Sequence, residues 1–239
     1  MVNIEINENK FWKKFNHKES ILWLKGKVYS HSPIELLNAF NKVKKTKINS
    51  FIQKLRGHFA IIFKNKVISI LIVDRVRSSP LHYTKIKKNF FLSSSSNDLV
   101  KNRNFKMKVN QSAFQEIAMA GFVIGSKSIY NDLNSLVAGQ YAIFENGKVK
   151  VENYFSYFDK ISNQSYNELL NELTEITISI FKKLIIEVGD RQIVIPLSAG
   201  NDSRLVASIL KHLGAKNVKC YSYGQKNNFE AKTAEKIAN

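Results

Sequence analysis

The chain has 239 residues, 44% hydrophobic and 11% aromatic, enough to bury an ordinary core and too apolar to be disordered or of low complexity as a whole. Thirty-seven Lys and Arg stand against 19 Asp and Glu, a formal charge of +18 that biases the partners towards polyanions: nucleotides, nucleic acid or an anionic membrane surface. The single cysteine, Cys220, excludes an internal disulfide and a thiolate metal cluster, and no apolar run reaches the roughly 18 residues of a membrane span.

Residues 1–10 (MVNIEINENK) have neither the basic nor the apolar region of a signal peptide, so the expectation is a soluble, cytoplasmic chain. Residues 21–29 (ILWLKGKVY) read as a strand closed by the turn Ser30-His31-Ser32-Pro33. Ile34, Leu37 and Phe40, with Leu36 and Val43, recur at helical spacing. Residues 59–63 and 67–73 are two apolar runs joined by Lys64-Asn65-Lys66, a hairpin pattern. Residues 90–93 give a further short strand, and the serines at 93–96 read as a strand end and solvated turn because no helical stripe follows. Residues 113–119 suggest a short helix before Gly121, and the runs 141–144 and 149–151 flank Asn146-Gly147, a strong hairpin signal. This half is expected to be α+β, with predominantly antiparallel layers.

From Tyr166 the period changes. Leu169, Leu173, Ile176, Ile180 and Leu184 trace an amphipathic helix that Gly189-Asp190 ends. Residues 192–197 (QIVIPL) read as a buried strand and residues 198–203 (SAGNDS) as a turn, after which Leu205, Val206, Ile209, Leu210 and Leu213 make a helical stripe stopping at Gly214. A second strand over 218–223 and a helix from Phe229 complete a βαβ pattern with parallel strands. Two parallel strands leave their faces uncovered, so the domain is expected to continue past Asn239.

The chemistry concentrates in the turn at 198–203. Between a strand and a helix, small residues leave backbone N–H groups facing outward at the positive end of the helix, where an anion gains both hydrogen bonds and dipole attraction. Ser198 and Ser203 add hydroxyl donors, and Asp202 can hold the Mg²⁺ that escorts a polyphosphate. Neither a Walker loop nor a G-x-G-x-x-G turn is present. The alternative is that Asn201, Asp202 and Ser203 only cap the helix. His17, His31, His58, His82 and His212 are scattered without metal-ligand spacing and read as surface or core residues. Cys220, on an apolar strand, reads as a small core residue, and the lysine-rich stretches 42–47 and 85–88 read as solvated faces.

Residues 197–204 (LSAGNDSR) resemble the SGGxDS pyrophosphate-binding loop of the N-type ATP pyrophosphatases, and with Arg204 following they are most similar to the synthetase (PP-loop) domain of the asparagine synthase family. One glycine of that loop is Ala199 here, which removes a position where positive φ is cheap. Upstream, residues 55–60 (LRGHFA), 73–83 (VDRVRSSPLHY), 91–95 (FLSSS), 128–130 (SIY) and 136–141 (LVAGQY) are similar, in order, to the family's glutaminase domain. The resemblance implies two domains, a glutaminase-like one with layered antiparallel sheets of the NTN-hydrolase type over 1–160, and the start of an α/β parallel-sheet PP-loop domain over 161–239, as if the family pattern were shortened at both ends.

A glutaminase of this family uses an N-terminal cysteine activated by its own amine. Met1 and Val2 stand there instead, and Lys25 and Lys27 replace the asparagine and glutamate of the family's NGEIYN segment, leaving Gly26. Glutamine hydrolysis is therefore not expected, and no catalytic residue is assigned. The resemblance implies MgATP bound by Leu197, Ser198, Ala199, Gly200, Asn201, Asp202, Ser203 and Tyr223, with Asp202 on the metal and Leu197 and Tyr223 on the adenine side. It implies adenylation of a small carboxylate such as aspartate, release of pyrophosphate, and amide formation with ammonia or an amine, a role in amino-acid biosynthesis. A homodimer stays open and a membrane partner is not implied. The rival readings are an RNA-binding or RNA-modifying PP-loop protein, against which the lysines are dispersed without an aromatic platform, and a catalytically inactive scaffold.

Overall fold

The continuous apolar runs at 59–63 and 69–73 belong to strands covered on both faces, which is why they do not alternate. The structure is a computed structural model and describes residues 2–6, 11–158, 161–225 and 228–238. Met1, residue 160 at the expected domain boundary, and Asn239 lie outside those described. The chain divides into two compact units, Met1–Phe158 and Asp159–Asn239.

The first unit runs β1 (Val2–Glu5), β2 (Trp12–His17), β3 (Ser20–Val28), α1 (Pro33–Lys42), a 3₁₀ turn (Lys45–Lys47), α2 (Ile48–Ile52), β4 (Gly57–Lys64), β5 (Ser69–Val73), β6 (His82–Ile86), β7 (Asn89–Ser93), α3 (Ser96–Val100), α4 (Gln111–Ala120), β8 (Leu133–Ser135), β9 (Gln140–Glu145) and β10 (Lys148–Asn153). Six strands in the order β10-β9-β5-β4-β3-β2 form an antiparallel sheet. The other four form a mixed sheet, β1-β7-β6-β8, in which β1 and β7 are parallel. Neither β1 nor β2 stands out in the sequence, since β1 is four residues and β2 (WKKFNH) mixes apolar and polar residues without alternation.

The six-stranded sheet carries one core on each side. Phe59, Ile61 and Phe63 of β4 pack with Leu22 and Leu24 of β3 and with Leu36, Leu37 and Phe40 of α1. Ala60 and Ile62 point the other way and join Trp23, Leu71 and Val73 to Tyr83, Phe90 and Leu92 of the four-stranded sheet. The result is a layered helix–sheet–sheet arrangement of mostly antiparallel strands. A capping box fixes the start of α1: Glu35 N–H donates to the Ser32 hydroxyl (3.3 Å) while Ser32 N–H donates to the Glu35 carboxylate (2.7 Å). Asn146 and Gly147 both have positive φ, 48° and 73°, as the tight turn between β9 and β10 requires.

Two boundaries differ from the sequence reading. The hairpin strand β5 begins at Ser69, not Val67, because the Asn65 side chain accepts from Val67 N–H and Ile68 N–H (both 2.9 Å) and bends those residues into the loop. The serines at 93–96 lead directly into α3, whose single turn is too short to show a stripe; Leu99 anchors it and the Ser93 hydroxyl donates to Asp98 (3.1 Å).

The second unit contains α5 (Tyr166–Val188), β11 (Ile193–Pro196), α6 (Asn201–His212), β12 (Val218–Tyr221) and α7 (Phe229–Ala238). The strands β11 and β12 are parallel, with Ile195 opposite Cys220. Four expectations are corrected here, three of them by burial. The apolar stripe of α5 is exposed, Leu173 at 61% and Ile180 at 57%. Only Ile195 of β11 is buried, with Val194 turned to solvent. The last strand ends at Tyr221, not at residue 223. Cys220 is exposed instead of a core residue, although Ile195, opposite it in the register, is buried.

Candidate functional site

The turn predicted to hold phosphate lies where β11 gives way to α6. Leu197, just past the strand, is buried and donates its N–H to Tyr221 O (2.8 Å), which ties the turn to the carboxyl end of the neighbouring parallel strand. Gly200 is the N-cap of α6, in an extended conformation and without a side-chain cap on the helix. Asn201 and Asp202 are exposed on the first turn of the helix and do not cap it, so the capping alternative fails for both.

Ser203 shapes the turn from within. Its hydroxyl accepts from Ser198 N–H (3.1 Å), lies 3.1 Å from the Ser198 hydroxyl and reaches the carbonyl of Gly200 (3.2 Å). The Ser198 hydroxyl in turn accepts from Gly200 N–H (3.1 Å). Ala199 costs nothing in this geometry, contrary to expectation: neither Ala199 nor Gly200 has a positive φ. A Cβ on Gly200 would come within 3.2 Å of the Ser198 hydroxyl, a tight approach that the glycine avoids. Tyr223 lies two residues beyond β12, is 80% exposed and stacks on Tyr221 with ring centroids 6.4 Å apart. It stands at the same strand ends as Leu197, one side chain outside and the other within.

Among the described residues no three His, Cys, Asp or Glu side chains come together as a metal cage. Asp202 is then a single carboxylate at an anion-friendly helix start, a donor set that suits Mg²⁺, which keeps most of its water and is shared with substrate phosphates. The backbone amides at the start of α6, which no side chain caps, suit phosphate oxygens for the same reason, whereas Ser198 N–H and Gly200 N–H are taken by hydroxyls within the turn.

A second concavity, not singled out by the sequence, opens in the first unit. It has a volume of about 970 Å³ and lies along β2, β3, the start of α1, and the loop after β5. Lys25 and Lys27 line it, as do Lys13, His31, His58 and Ser78. The histidines read as scattered are therefore partly gathered: His58 stands opposite Lys27 in the β3–β4 register and its Nδ1 is 3.1 Å from the Ser78 hydroxyl. The missed signal was the alternation of Trp23, Lys25 and Lys27 along one face of β3, which places both lysines at the open end of a face that is apolar further in.

Other residues of the first unit, several of them in the glutaminase-like stretches, hold its backbone together. The guanidinium of Arg56 donates to Gln53 O (2.6 Å), and Arg75 donates to the same carbonyl (3.1 Å) while lying over the Phe155 ring at 4.3 Å. Tyr154 donates its hydroxyl to Val73 O (2.8 Å) in the interior; burial, reinforced by the negative charge of Asp74, raises its pKa above the usual phenol range. His82 is held down at about 4 by burial and by the positive charge of Arg77.

The glutamine amidotransferase domain matches residues 15–155, more than half of the sequence, and the chain belongs to that family. No curated protein matches. Among solved structures, glutamine phosphoribosylpyrophosphate amidotransferase from B. subtilis, complexed with ADP and GMP, is 12% identical, with 61% of this chain and 32% of that chain covered and a TM-score of 0.37. The allosteric regulatory enzyme of purine biosynthesis is 10% identical, with 94% of this chain and 51% of that chain covered and a TM-score of 0.36. The chain thus spans about a third and about half of those two structures. No helix among the described residues is long and apolar enough to cross a membrane.

Proposed function

We propose that this member of the glutamine amidotransferase domain family is an asparagine synthetase-like, ATP-dependent amide-forming ligase whose first unit no longer hydrolyses glutamine. The observation that carries the ligase reading is the turn Ser198 to Ser203 at the carboxyl ends of two parallel strands, with uncapped backbone amides at the start of α6. Bound MgATP would supply an electrophilic phosphorus and a stable leaving group. The amides at the start of α6 and the hydroxyls of Ser198 and Ser203 would hold phosphate oxygens, Asp202 would hold Mg²⁺, and Leu197 and Tyr223 would flank the base. What the turn contributes chemically is neutralisation of charge on the departing pyrophosphate. The acceptor is a small carboxylate such as aspartate, and the nitrogen comes from ammonia or an amine.

Loss of glutaminase chemistry rests on the first unit's cavity. Among its described lining residues there is no cysteine, and Lys25 and Lys27 are among those that line it. The test is carboxylate-dependent exchange of labelled pyrophosphate into ATP, with aspartate as the first acid tried. Exchange that disappears in Asp202→Ala, while the thermal transition is unchanged, supports the ligase. Undiminished exchange in that variant would sink the role of Asp202. No exchange with any acid favours the inactive scaffold, and salt-sensitive RNA binding without ATP favours the RNA reading.

A further inference from the structure

We propose that the first unit binds one small monovalent anion, of the size of chloride, between Arg77, His82 and Thr84 on the outer face of the four-stranded sheet. These residues belong neither to the turn at 198–203 nor to the lining of the first unit's cavity, and the inference rests on neither reading.

Unpaired polar atoms mark the place. Among the described residues, four side-chain nitrogen and oxygen atoms are shut off from solvent without a hydrogen-bond partner: Arg75 Nε, Arg77 Nε, His82 Nδ1 and Thr84 Oγ1. Folded proteins satisfy nearly all such atoms, with an ion or a water where the chain offers nothing. Three of the four fall together. His82 and Thr84 are two residues apart on β6 and project from the same face, their Cα atoms about 7 Å apart, a gap that one ion bridges. Tyr83 between them points into the core shared with the six-stranded sheet, so theirs is the outer face. Ser135 stands opposite His82 in the β6–β8 register, and the Arg77 guanidinium donates to its hydroxyl (2.7 Å).

Charge decides between an anion and a water. Arg77 forms no ion pair with a described residue; burial pushes its pKa down with no acid opposing, and its positive charge is felt by His82. The neighbouring acids are engaged otherwise. Asp98 accepts from Ser93, which lies opposite His82 on β7 (3.1 Å), and the Asp74 carboxylate takes the N–H groups of Phe59, Val76 and Ser78. A water would accept from the orphaned donors but leave the half-buried guanidinium without a counter-charge, whereas an anion answers both needs. Guanidinium N–H and the threonine hydroxyl donate, and the imidazole donates through whichever nitrogen carries its proton.

The location gives the ion a structural consequence. Arg77 has a φ of 57°, a left-handed conformation uncommon for a residue other than glycine. It belongs to the loop between β5 and β6 that brings Ser78 and Ser79 to the cavity of the first unit, so an ion held by Arg77 and by two residues of β6 fastens that loop to the sheet.

The experiment is a titration of the full chain with sodium chloride at constant ionic strength, sodium gluconate making up the balance. It is read by the thermal midpoint and by the imidazole NMR signal that disappears in His82→Gln. Chloride and bromide are expected to raise the midpoint and move that signal, both saturably, while gluconate and sulfate do neither. Arg77→Gly, which suits the left-handed backbone and removes the charge, is expected to abolish both responses. Thr84→Val is expected to weaken chloride by about fivefold or more, and without chloride to be no less stable than the parent, since it removes a hydroxyl that has no partner. A midpoint that rises without saturating, or rises equally in gluconate, overturns the anion in favour of water. A saturable response that survives Arg77→Gly, or that excess pyrophosphate abolishes, puts the ion elsewhere and overturns the site. Should Arg77→Gly fail to fold, unchanged chloride affinity in Thr84→Val overturns it alone.

Discussion

The side chain of Asp74 accepts a hydrogen bond from Phe59 N–H at 2.9 Å, inside the molecule and across the end of the β4–β5 pair. Its carboxylate also receives Val76 N–H (2.9 Å) and Ser78 N–H (3.2 Å), so one buried acid shapes the loop that delivers Ser78 to His58. Replacement by Ala strips three backbone donors of their acceptor. Asp74→Ala is expected to destabilise the first unit by about 3 kcal/mol or more, and Asp74→Asn by less, since an amide oxygen still accepts. Urea unfolding of the two variants checks this; a loss below about 1 kcal/mol for Asp74→Ala would show that water replaces the acid.

The close approach at Gly26 makes a second prediction. With φ at 81° and a Cβ position 2.0 Å from His58 O, Gly26→Ala meets backbone, which has no room to yield. The expected cost exceeds about 3 kcal/mol, against about 1 kcal/mol for Gly147→Ala, whose Cβ would meet nothing within 4 Å. Equal stabilities for the two variants would mean that β3 and β4 separate freely.

A pH dependence follows from His82. In the folded state it titrates near 4 instead of 6.5, because burial and Arg77 oppose its charged form. Between these values the unfolded chain binds more protons than the folded one, so stability rises with pH across that window and is lost as pH falls from 6.5 towards 4. The loss attributable to this partly exposed group is about 1–2 kcal/mol after allowance for screening. Denaturation midpoints measured from pH 7 downward should fall less steeply in His82→Gln, and identical slopes would refute the assignment.

The exposed face of α5 and the core under α6 should respond in opposite ways. Ile176 is 49% exposed, so Ile176→Gln is expected to change stability by no more than about 0.5 kcal/mol. Leu210 is fully buried, and Leu210→Ala should cost about 2–5 kcal/mol. Thermal melts of both variants test this, and a large loss in Ile176→Gln would show that the face is covered in solution.

Much of the fold is legible before any coordinates because it is local. The capping residue Ser32 and Pro33 at the start of α1, the Asn146-Gly147 turn and the apolar runs of β4 and β5 each encode their conformation within a few residues. The turn at 198–203 is equally local, and its composition alone pointed to an anion site. Less visible were β1 and α3, at four and five residues too short to express a period, and the start of β5, which one side-chain amide at Asn65 decides.

By itself, then, the order of residues determined the longer elements, the family motifs, and the replacement of two polar positions by Lys25 and Lys27. Only the tertiary structure decided what those lysines face. They alternate on β3 and could have pointed to open solvent; instead they share a concavity with Lys13, His31 and His58, residues up to 45 positions apart from one another in the sequence (58 − 13). Tertiary packing also turned the most regular stripe, on α5, outward and left Cys220 exposed. Periodicity states which residues share a face, but burial depends on whether another part of the molecule packs against it, and that partner is specified elsewhere in the chain.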